Sequence, residues 1–425
     1  MTYRRLRWLG WALLGSFSVG CLALTSAINP VNAHADDATL IMGGTGDPDP
    51  DETYLTDVYN AYILPNIVPQ TAIPTALVTP EQGFPLTAGL TFDASVAQGL
   101  EDLQQAIAAE PSGTDTVVFG FSQSATIITD YLDDIANGST ANPPDPADLN
   151  FVLVGDPNNP DGGLFERFDG LYLPGFNEIY NGATPDLDYA TDIYTIQYDG
   201  FGDFPQYPLD LVADLNAIFG IYYDHLDAAT DYATLTPEQV ATAIVEPVSS
   251  GAIGDTTYYM IPTQTLPLLE PLVQLGAPQW LIDLLNPDLR VLVDLGYGNI
   301  GGADTEYANL PTPASLLELP NLITVIDDLA KGAVQGVEAA LVDTGVLPES
   351  DMPDAYPFVP SLDPGLTINL GQPDETLISA FTSTLGTLLE DLNIPAFGGD
   401  ASSAADLISN LMDPGLSSDL LSLLG

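Results

Sequence analysis

The sequence predicts an α/β fold, with a mainly parallel sheet flanked by helices, because strand-like and helix-like stretches alternate along it. The strand-like stretches are short runs of β-branched and aromatic residues, found near Thr39, Ala76, Thr116, Asn150 and Ile193. Helix-like stretches occur near Thr53, Ser95, Ala125 and Leu209. Because the chain has 425 residues, more than one ordinary domain, we also expect appended segments.

The third strand-like run leads into the most informative motif. Gly-Phe-Ser-Gln-Ser at 120–124 follows the apolar run 116–119 and precedes a helix-forming stretch. A serine on a strained turn between a strand and a helix is the nucleophile elbow of an α/β-hydrolase, so Ser122 is the candidate nucleophile. Ser124 replaces the second glycine of that motif. An ordinary turn with a hydroxyl capping the helix has the same pattern, so the motif needs partners elsewhere.

A serine nucleophile requires a histidine as base and a carboxylate that orients the histidine. His225 is the one histidine after residue 35, and it follows the serine in the chain order of this fold. The strand-like run 193–198 and the loop after it lie between the two. Asp203 is the first candidate for the acid. In a Gly-x-x-Asp turn the chain has already left the strand when it reaches the aspartate, so the carboxylate can point towards the histidine. Asp199 is the alternative, and either residue could instead be an ordinary turn residue.

A glycine-rich run, Gly-Gly-Thr-Gly at 43–46, follows the first strand-like stretch. We assign the hydroxyl of Thr45 and the backbone N–H of Gln123 to an oxyanion hole, which needs donors from these two regions. A phosphate-binding loop is the competing interpretation. The run lacks the lysine of a P-loop and the spacing of a dinucleotide fingerprint, and the acidic residues at 47–52 would repel phosphate.

The composition excludes several classes of partner. With 59 acidic and six basic residues, the formal net charge is −53. This charge excludes a protein that binds along the phosphate backbone of a nucleic acid. Lysine and arginine side chains that could bind a phosphate group are scarce, so a neutral ester or glycolipid is favoured over a phosphorylated substrate. Cys21 is the only cysteine, which excludes a zinc–thiolate site in the mature chain, and we expect no metal and no cofactor. A hydrophobic content of 46% argues against disorder.

The N-terminal segment 1–35 has the features of a signal peptide or an N-terminal anchor. Three arginines precede the apolar stretch 8–24, and a small-residue site, Ala-His-Ala, ends at residue 35. A signal peptide predicts that the protein is secreted or associated with the cell envelope. An anchor remains open, because the apolar stretch is near the lower length limit for a membrane helix.

The mature chain divides by composition into residues 36–307, the predicted hydrolase domain, and 308–425, a helical extension rich in Leu, Pro and Asp. Amphipathic stretches of the extension lie at 321–342, 375–392 and 404–412. They could contact envelope lipid, but their polar faces are acidic, and interfacial helices favour basic ones. We therefore favour packing against the hydrolase domain.

Several separated motifs resemble the PE-PPE domain of mycobacteria over about residues 38 to 305. They lie at 43–46, 92–99, 120–125, 197–205 and 266–272. That family is a cutinase-like serine α/β-hydrolase domain, so the resemblance implies esterase or lipase chemistry on lipid esters. No long PE or PPE module precedes the motifs, and the chain is in this respect similar to members thought to move acyl chains between trehalose glycolipids. Acyl transfer is therefore an alternative to hydrolysis, and a non-catalytic envelope protein is a further one.

Overall fold

A computed structural model of the protein describes residues 37–65, 73–174, 177–227, 230–252, 254–298, 307–316, 320 and 322–353. The predicted signal peptide or anchor at 1–35 and the amphipathic stretches at 375–392 and 404–412 lie outside the described residues.

The centre of the molecule is a seven-stranded sheet. Its strands are β1 (Ala38–Ile41), β2 (Ile73–Ala76), β3 (Thr116–Phe121), β4 (Leu149–Val154), β7 (Thr191–Ile196), β8 (Ile244–Val245) and β9 (Thr256–Ile261). They lie in the order β2-β1-β3-β4-β7-β9-β8, and every neighbouring pair is parallel except β8 with β9. The predicted α/β class is confirmed. Strands β8 and β9 were not among the predicted strands.

Helices connect these strands. They are α1 (Glu52–Val58), α2 (Phe92–Ala109), α3 (Gln123–Ala136), α4 (Leu164–Arg167), α5 (Leu211–Gly220), α6 (Pro237–Val240), α7 (Glu270–Gln274), α8 (Gln279–Asp294) and α9 (Leu322–Asp343). Two π-helical turns, Tyr59–Ile63 and Ile221–Leu226, continue α1 and α5. None of the described helices combines the length and apolarity needed to cross a membrane.

Both faces of the sheet are covered by apolar side chains. Val118 and Leu153 pack with residues of α2 and α3 on one face, whereas Phe119 and Val152 pack with Tyr62 and its neighbours on the other. Successive strand residues point to opposite faces, so a strand covered on both sides must be apolar throughout. This explains the apolar runs 117–119 in β3 and 151–154 in β4. It also leaves the loops at the carboxyl ends of the strands as the exposed places for functional groups.

Three aromatic side chains between the strands β4 and β7 belong to a packed cluster. Phe165, Phe168 and Tyr180 are buried, and the rings of Phe165 and Tyr180 stack with their centroids 4.3 Å apart. A short hairpin, β5 (Tyr172–Leu173) and β6 (Glu178–Ile179), lies in the same segment. The three buried rings are thus packed within the fold, and Phe168 also contacts Phe204.

Several carboxyl groups of this acidic protein are buried inside the fold. Burial, with repulsion from Asp210 added, raises the pKa of Asp214 to about 8, and neither of its oxygens has a hydrogen-bond partner among the described residues. Burial likewise raises the pKa of Glu81 and of Glu178 to about 8. Between pH values of about 4 and 8 the folded state therefore holds protons that the unfolded chain has released, and the free energy of unfolding falls as pH rises.

We expect the free energy of unfolding to be larger at pH 5 than at pH 8, and the Asp214→Asn variant to reduce that difference. Asparagine keeps the shape of the side chain and cannot ionise, so the gain should appear mainly at pH 8. Urea unfolding at the two pH values measures it, with the exposed Asp57→Asn as control. An Asp214→Asn variant with the wild-type pH dependence would contradict this expectation.

Candidate active site

Ser122 occupies a strained turn between β3 and α3. Its backbone angles are φ 57° and ψ −114°, in a region that non-glycine residues rarely adopt. Its N–H donates to the carbonyl of Val154 on the neighbouring strand, 3.1 Å away, which fixes the turn against the sheet. A side chain at Gly120 would collide with the Ser124 carbonyl and with Ile128, so the motif needs glycine there.

Ser124, which stands in place of the usual second glycine, is fully buried and braces the same turn. Its hydroxyl accepts from the Phe121 N–H at 2.8 Å and reaches the Phe121 carbonyl at 3.1 Å. The small hydroxyl side chain therefore fits the elbow, and it adds hydrogen bonds that glycine could not make.

His225 joins the serine to a carboxylate. Its Nε2 lies 2.8 Å from the Ser122 hydroxyl, and its Nδ1 lies 2.8 Å from Oδ2 of Asp199. The histidine is 2% exposed and Asp199 is fully buried. With the proton on Nδ1, held by the carboxylate, the lone pair of Nε2 faces the serine hydroxyl, which is the tautomer that a general base needs.

The structure does not bring Asp203, the first candidate for the acid, to His225. The Asp203 carboxylate instead accepts from the Tyr198 N–H at 2.7 Å, and burial raises its pKa to about 7. The chain already turns where β7 ends, because the Asp199 N–H donates to the Ile196 carbonyl at 3.0 Å. Asp199 therefore reaches the histidine directly, and Asp203 closes the turn. We correct the preferred acid to Asp199, the alternative from the sequence.

Tyr232 is a residue of this site that the sequence did not indicate. Its hydroxyl donates to Oδ2 of Asp199 at 2.7 Å and accepts from the Ile196 N–H at 2.8 Å. Burial, together with the nearby Asp199 charge, holds the pKa of Tyr232 well above its usual value, so the hydroxyl keeps its proton. The Phe201 N–H donates to the other oxygen of Asp199 at 3.0 Å.

Space for the imidazole depends on Gly155, at the carboxyl end of β4. This glycine has φ +54°, and a Cβ there would lie 2.9 Å from Cε1 of His225 and 2.8 Å from Cε2 of Tyr232. The rings of Phe121 and Phe201 contact the histidine, with centroid distances of 5.0 and 4.7 Å. The imidazole is thus held by packing as well as by its hydrogen bonds. A glycine directly after an apolar strand is the signal in the sequence that could have indicated this close approach of side chains to the backbone.

Thr45 and Gln123, the two residues assigned to an oxyanion hole, are in contact. The buried Gln123 amide donates to the Thr45 hydroxyl at 3.2 Å and to the Gln82 carbonyl at 2.9 Å, and it accepts from Ser95 at 2.8 Å. The Gln123 side chain therefore ties the glycine-rich loop to the elbow. Its backbone N–H is the first of α3, outside the hydrogen-bond ladder of the helix. The oxyanion role of both residues stays a prediction.

Among the described residues, no group of three or more His, Cys, Asp or Glu side chains is arranged to hold a metal ion. The arrangement contains the three groups that acyl transfer to a serine requires: a candidate nucleophile, a candidate base and a carboxylate that orients the base.

Residues 69–298 match the PE-PPE domain. The chain belongs to the PE-PPE domain family. The PE family protein PE3 of Mycobacterium tuberculosis is 45% identical over 365 residues, which cover 85% of this chain and 74% of PE3. Esterase PE16 of the same organism is 45% identical over 311 residues, or 72% of this chain and 56% of PE16. The resemblance seen in the sequence motifs is therefore confirmed.

A third relative is named for a different activity, acyl transfer. SL1278 acyltransferase Chp1 of Mycobacterium tuberculosis is 32% identical over 301 residues, covering 67% of this chain and 70% of Chp1. Among solved structures, a cutinase-like protein from Cryptococcus sp. shares 18% identity and aligns over 30% of this chain and 56% of its own, with a TM-score of 0.21.

We expect Tyr232→Phe to slow the labelling of Ser122 by a fluorophosphonate about tenfold. Without the hydroxyl, Asp199 loses one of the three donors that hold its carboxylate, so His225 is oriented less firmly towards Ser122. The measurement is the labelling rate at one fixed pH, with the free energy of unfolding determined beside it. Tyr223→Phe is the control, since the Tyr223 hydroxyl is buried without a hydrogen-bond partner among the described residues. Lower stability with an unchanged labelling rate would mean that Tyr232 only supports the fold.

Proposed function

We propose that this protein is a serine esterase that cleaves neutral acyl esters through an acyl-enzyme on Ser122. The observation that carries the proposal is the unbroken hydrogen-bond chain from the Ser122 hydroxyl through His225 to the buried Asp199, at a strained strand-to-helix turn. Membership of the PE-PPE domain family and the similarity to Esterase PE16 support ester chemistry.

In the first half of the reaction, Oγ of Ser122 attacks the ester carbonyl carbon while its proton passes to Nε2 of His225. Asp199 stabilises the imidazolium through Nδ1–H. The carbonyl π electrons move to oxygen, and the tetrahedral intermediate then collapses. As the C–O bond to the alcohol breaks, the imidazolium gives its proton to the departing oxygen. In the second half, water attacks the acyl-enzyme with the same proton transfers and regenerates Ser122.

The negative charge of the tetrahedral intermediate needs fixed donors. The first N–H of α3, from Gln123, and the hydroxyl of Thr45 are the proposed donors, and the helix N-terminus favours a negative charge beside it. The Gln123 side chain holds the Thr45 loop against the elbow, so these donors would need little rearrangement when the charge forms.

A neutral substrate is supported by the positions of the basic residues. Beyond residue 35 these are Arg167, Arg290 and Lys331. Arg167 donates to the Phe204 carbonyl, Arg290 donates to the Thr263 carbonyl, and Lys331 pairs with Asp327 and Asp328 on α9. Each one thus has partners within the fold. An anionic group at Ser122 would be repelled by the net charge of −53.

Acyl transfer to a trehalose glycolipid is the second candidate, favoured by the similarity to SL1278 acyltransferase Chp1. The acyl-enzyme would be the same, and a sugar hydroxyl would replace water in the second step. The greater identity to Esterase PE16 makes hydrolysis the first choice.

We expect Ser122→Ala and Asp199→Asn each to lower ester turnover about a thousandfold or more, and His225→Ala to do the same. The matched control is Asp203→Asn, which should retain most of the activity, because asparagine can still accept the Tyr198 N–H. Turnover of p-nitrophenyl butyrate measures all four variants. Full turnover in Asp199→Asn with loss in Asp203→Asn would reverse the assignment of the acid.

Mass analysis of the products, with and without trehalose, separates the two candidates. Free acid that depends on Ser122 supports the esterase, and acylated trehalose supports the transferase. No Ser122-dependent product of either kind would favour a non-catalytic role.

We also propose that the protein is exported by residues 1–35, on the evidence of the arginines and the apolar stretch of that segment. Expression in a mycobacterial host should release a protein whose N-terminal sequence begins at Asp36. Detection of the full chain only in the membrane fraction would instead indicate an uncleaved anchor.

A further inference from the structure

The helix that leads to the histidine exposes its leucines and buries smaller side chains such as Ala213 and Ala217. Along α5 and the π-helical turn after it, Leu211 is 65% exposed, Leu215 is 43% exposed and Leu226 is 41% exposed. On the same helix Asp214 and Asn216 are buried. A surface helix normally faces the core with its leucines and faces water with its acids. The exposed leucines of this helix therefore need an explanation other than packing within the fold.

The exposed apolar side chains form one continuous stripe. Leu211, Leu215, Ile218, Tyr222 and Leu226 are separated by four, three, four and four residues, which places about one side chain in each turn. Ile218 and Tyr222 are half-buried. The stripe carries no charged side chain, although the net charge of the chain is −53. At 1.5 Å per residue, it extends about 22 Å.

The opposite side of the helix is already occupied. The side chain of Asn216 accepts from the Leu268 N–H at 3.0 Å, and Gly220 lies directly against the Tyr198 carbonyl. The stripe is thus the side of the helix that faces away from these contacts.

The stripe also ends at the proposed catalytic pair. Tyr222 precedes His225 by three residues and Leu226 follows it directly, so both lie within one turn of the base. An ester with its carbonyl carbon at the Ser122 hydroxyl must direct its acyl chain away from the Ser122–His225 pair. An uncharged strip about one side chain wide, with its end within one helical turn of His225, matches a single acyl chain.

We propose that this stripe, Leu211–Leu215–Ile218–Tyr222–Leu226, binds the acyl chain of the substrate and makes the enzyme selective for long-chain esters. The inference rests on the proposed esterase function and adds the substrate class to it. The near end of the stripe receives the first carbons of the chain, and the two leucines at the start of α5 contact only a long chain. Transfer of that chain from water onto apolar surface supplies the selectivity.

The test is the double variant Leu211→Ser/Leu215→Ser, which leaves the residues beside His225 unchanged. Hydrolysis of p-nitrophenyl butyrate and of p-nitrophenyl decanoate is measured below their micelle concentrations, and hydrolysis of the decanoate is measured above it as well. The kcat/KM value for the decanoate should fall about tenfold, and that for the butyrate should stay within about twofold of wild type. The matched control is Ile326→Ser/Val334→Ser, an exposed apolar pair of α9 with exposures of 67% and 63%. It should change neither ester.

Equal effects on both esters would overturn the proposal, because they would indicate general damage to the site. A loss that occurs only above the micelle concentration would also overturn it, since the stripe would then contact a lipid surface rather than a single chain.

A binding experiment keeps this inference separate from the proposed chemistry. In the Ser122→Ala background, binding of the neutral probe 1-pyrenedecanol is followed by fluorescence, with and without the two serine substitutions. Weaker binding in the stripe variant supports the acyl site even if no ester is turned over, in which case the esterase proposal alone fails. Unchanged binding of the probe by the stripe variant would overturn the proposal that the stripe binds the acyl chain.

Discussion

The buried carboxylate of Asp199 is the constraint on which the rest of the site depends. A carboxylate that is removed from water is costly unless hydrogen bonds satisfy its oxygens. Here the donors are the Tyr232 hydroxyl, Nδ1 of His225 and the Phe201 N–H, each from a different segment after β7. Satisfying Asp199 therefore brings these segments together and turns Nε2 of the histidine towards Ser122. The position of the base follows from the burial of the acid.

The shortage of basic residues also affects the buried carboxyl groups of the protein. Few lysines or arginines are present to pair with 59 acidic residues, so buried carboxyl groups such as Asp214 and Glu81 have raised pKa values instead. The same shortage supports the proposal of a neutral substrate. The helix α5 shows both consequences of this composition, since it buries Asp214, whose pKa burial raises to about 8, and leaves Leu211 exposed.

Much of the fold could be predicted from local patterns. The apolar runs of β3 and β4 identified strands, and the Gly-x-Ser-x-Ser motif identified the turn that carries Ser122, because each depends on near neighbours in the chain. Strand β9 was not predicted, although its six residues include two threonines and two tyrosines. The choice between Asp199 and Asp203 could not be settled in this way, since the two carboxylates share one loop and the same glycine-rich context.

The sequence by itself determined the α/β class, the strand-to-helix turn that carries Ser122 and the candidate for the base, because one histidine follows residue 35 and its order relative to Ser122 suits a hydrolase. Only the tertiary structure decided which acid faces that histidine, because the answer depends on where the chain reverses after Ile196 and on which segment supplies a donor. The same holds for Tyr232, which has no motif around it and reaches Asp199 across 33 residues of chain. Side chains that meet through long-range packing leave no periodic or local signal in a sequence, and the acid and the tyrosine that holds it belong to that class.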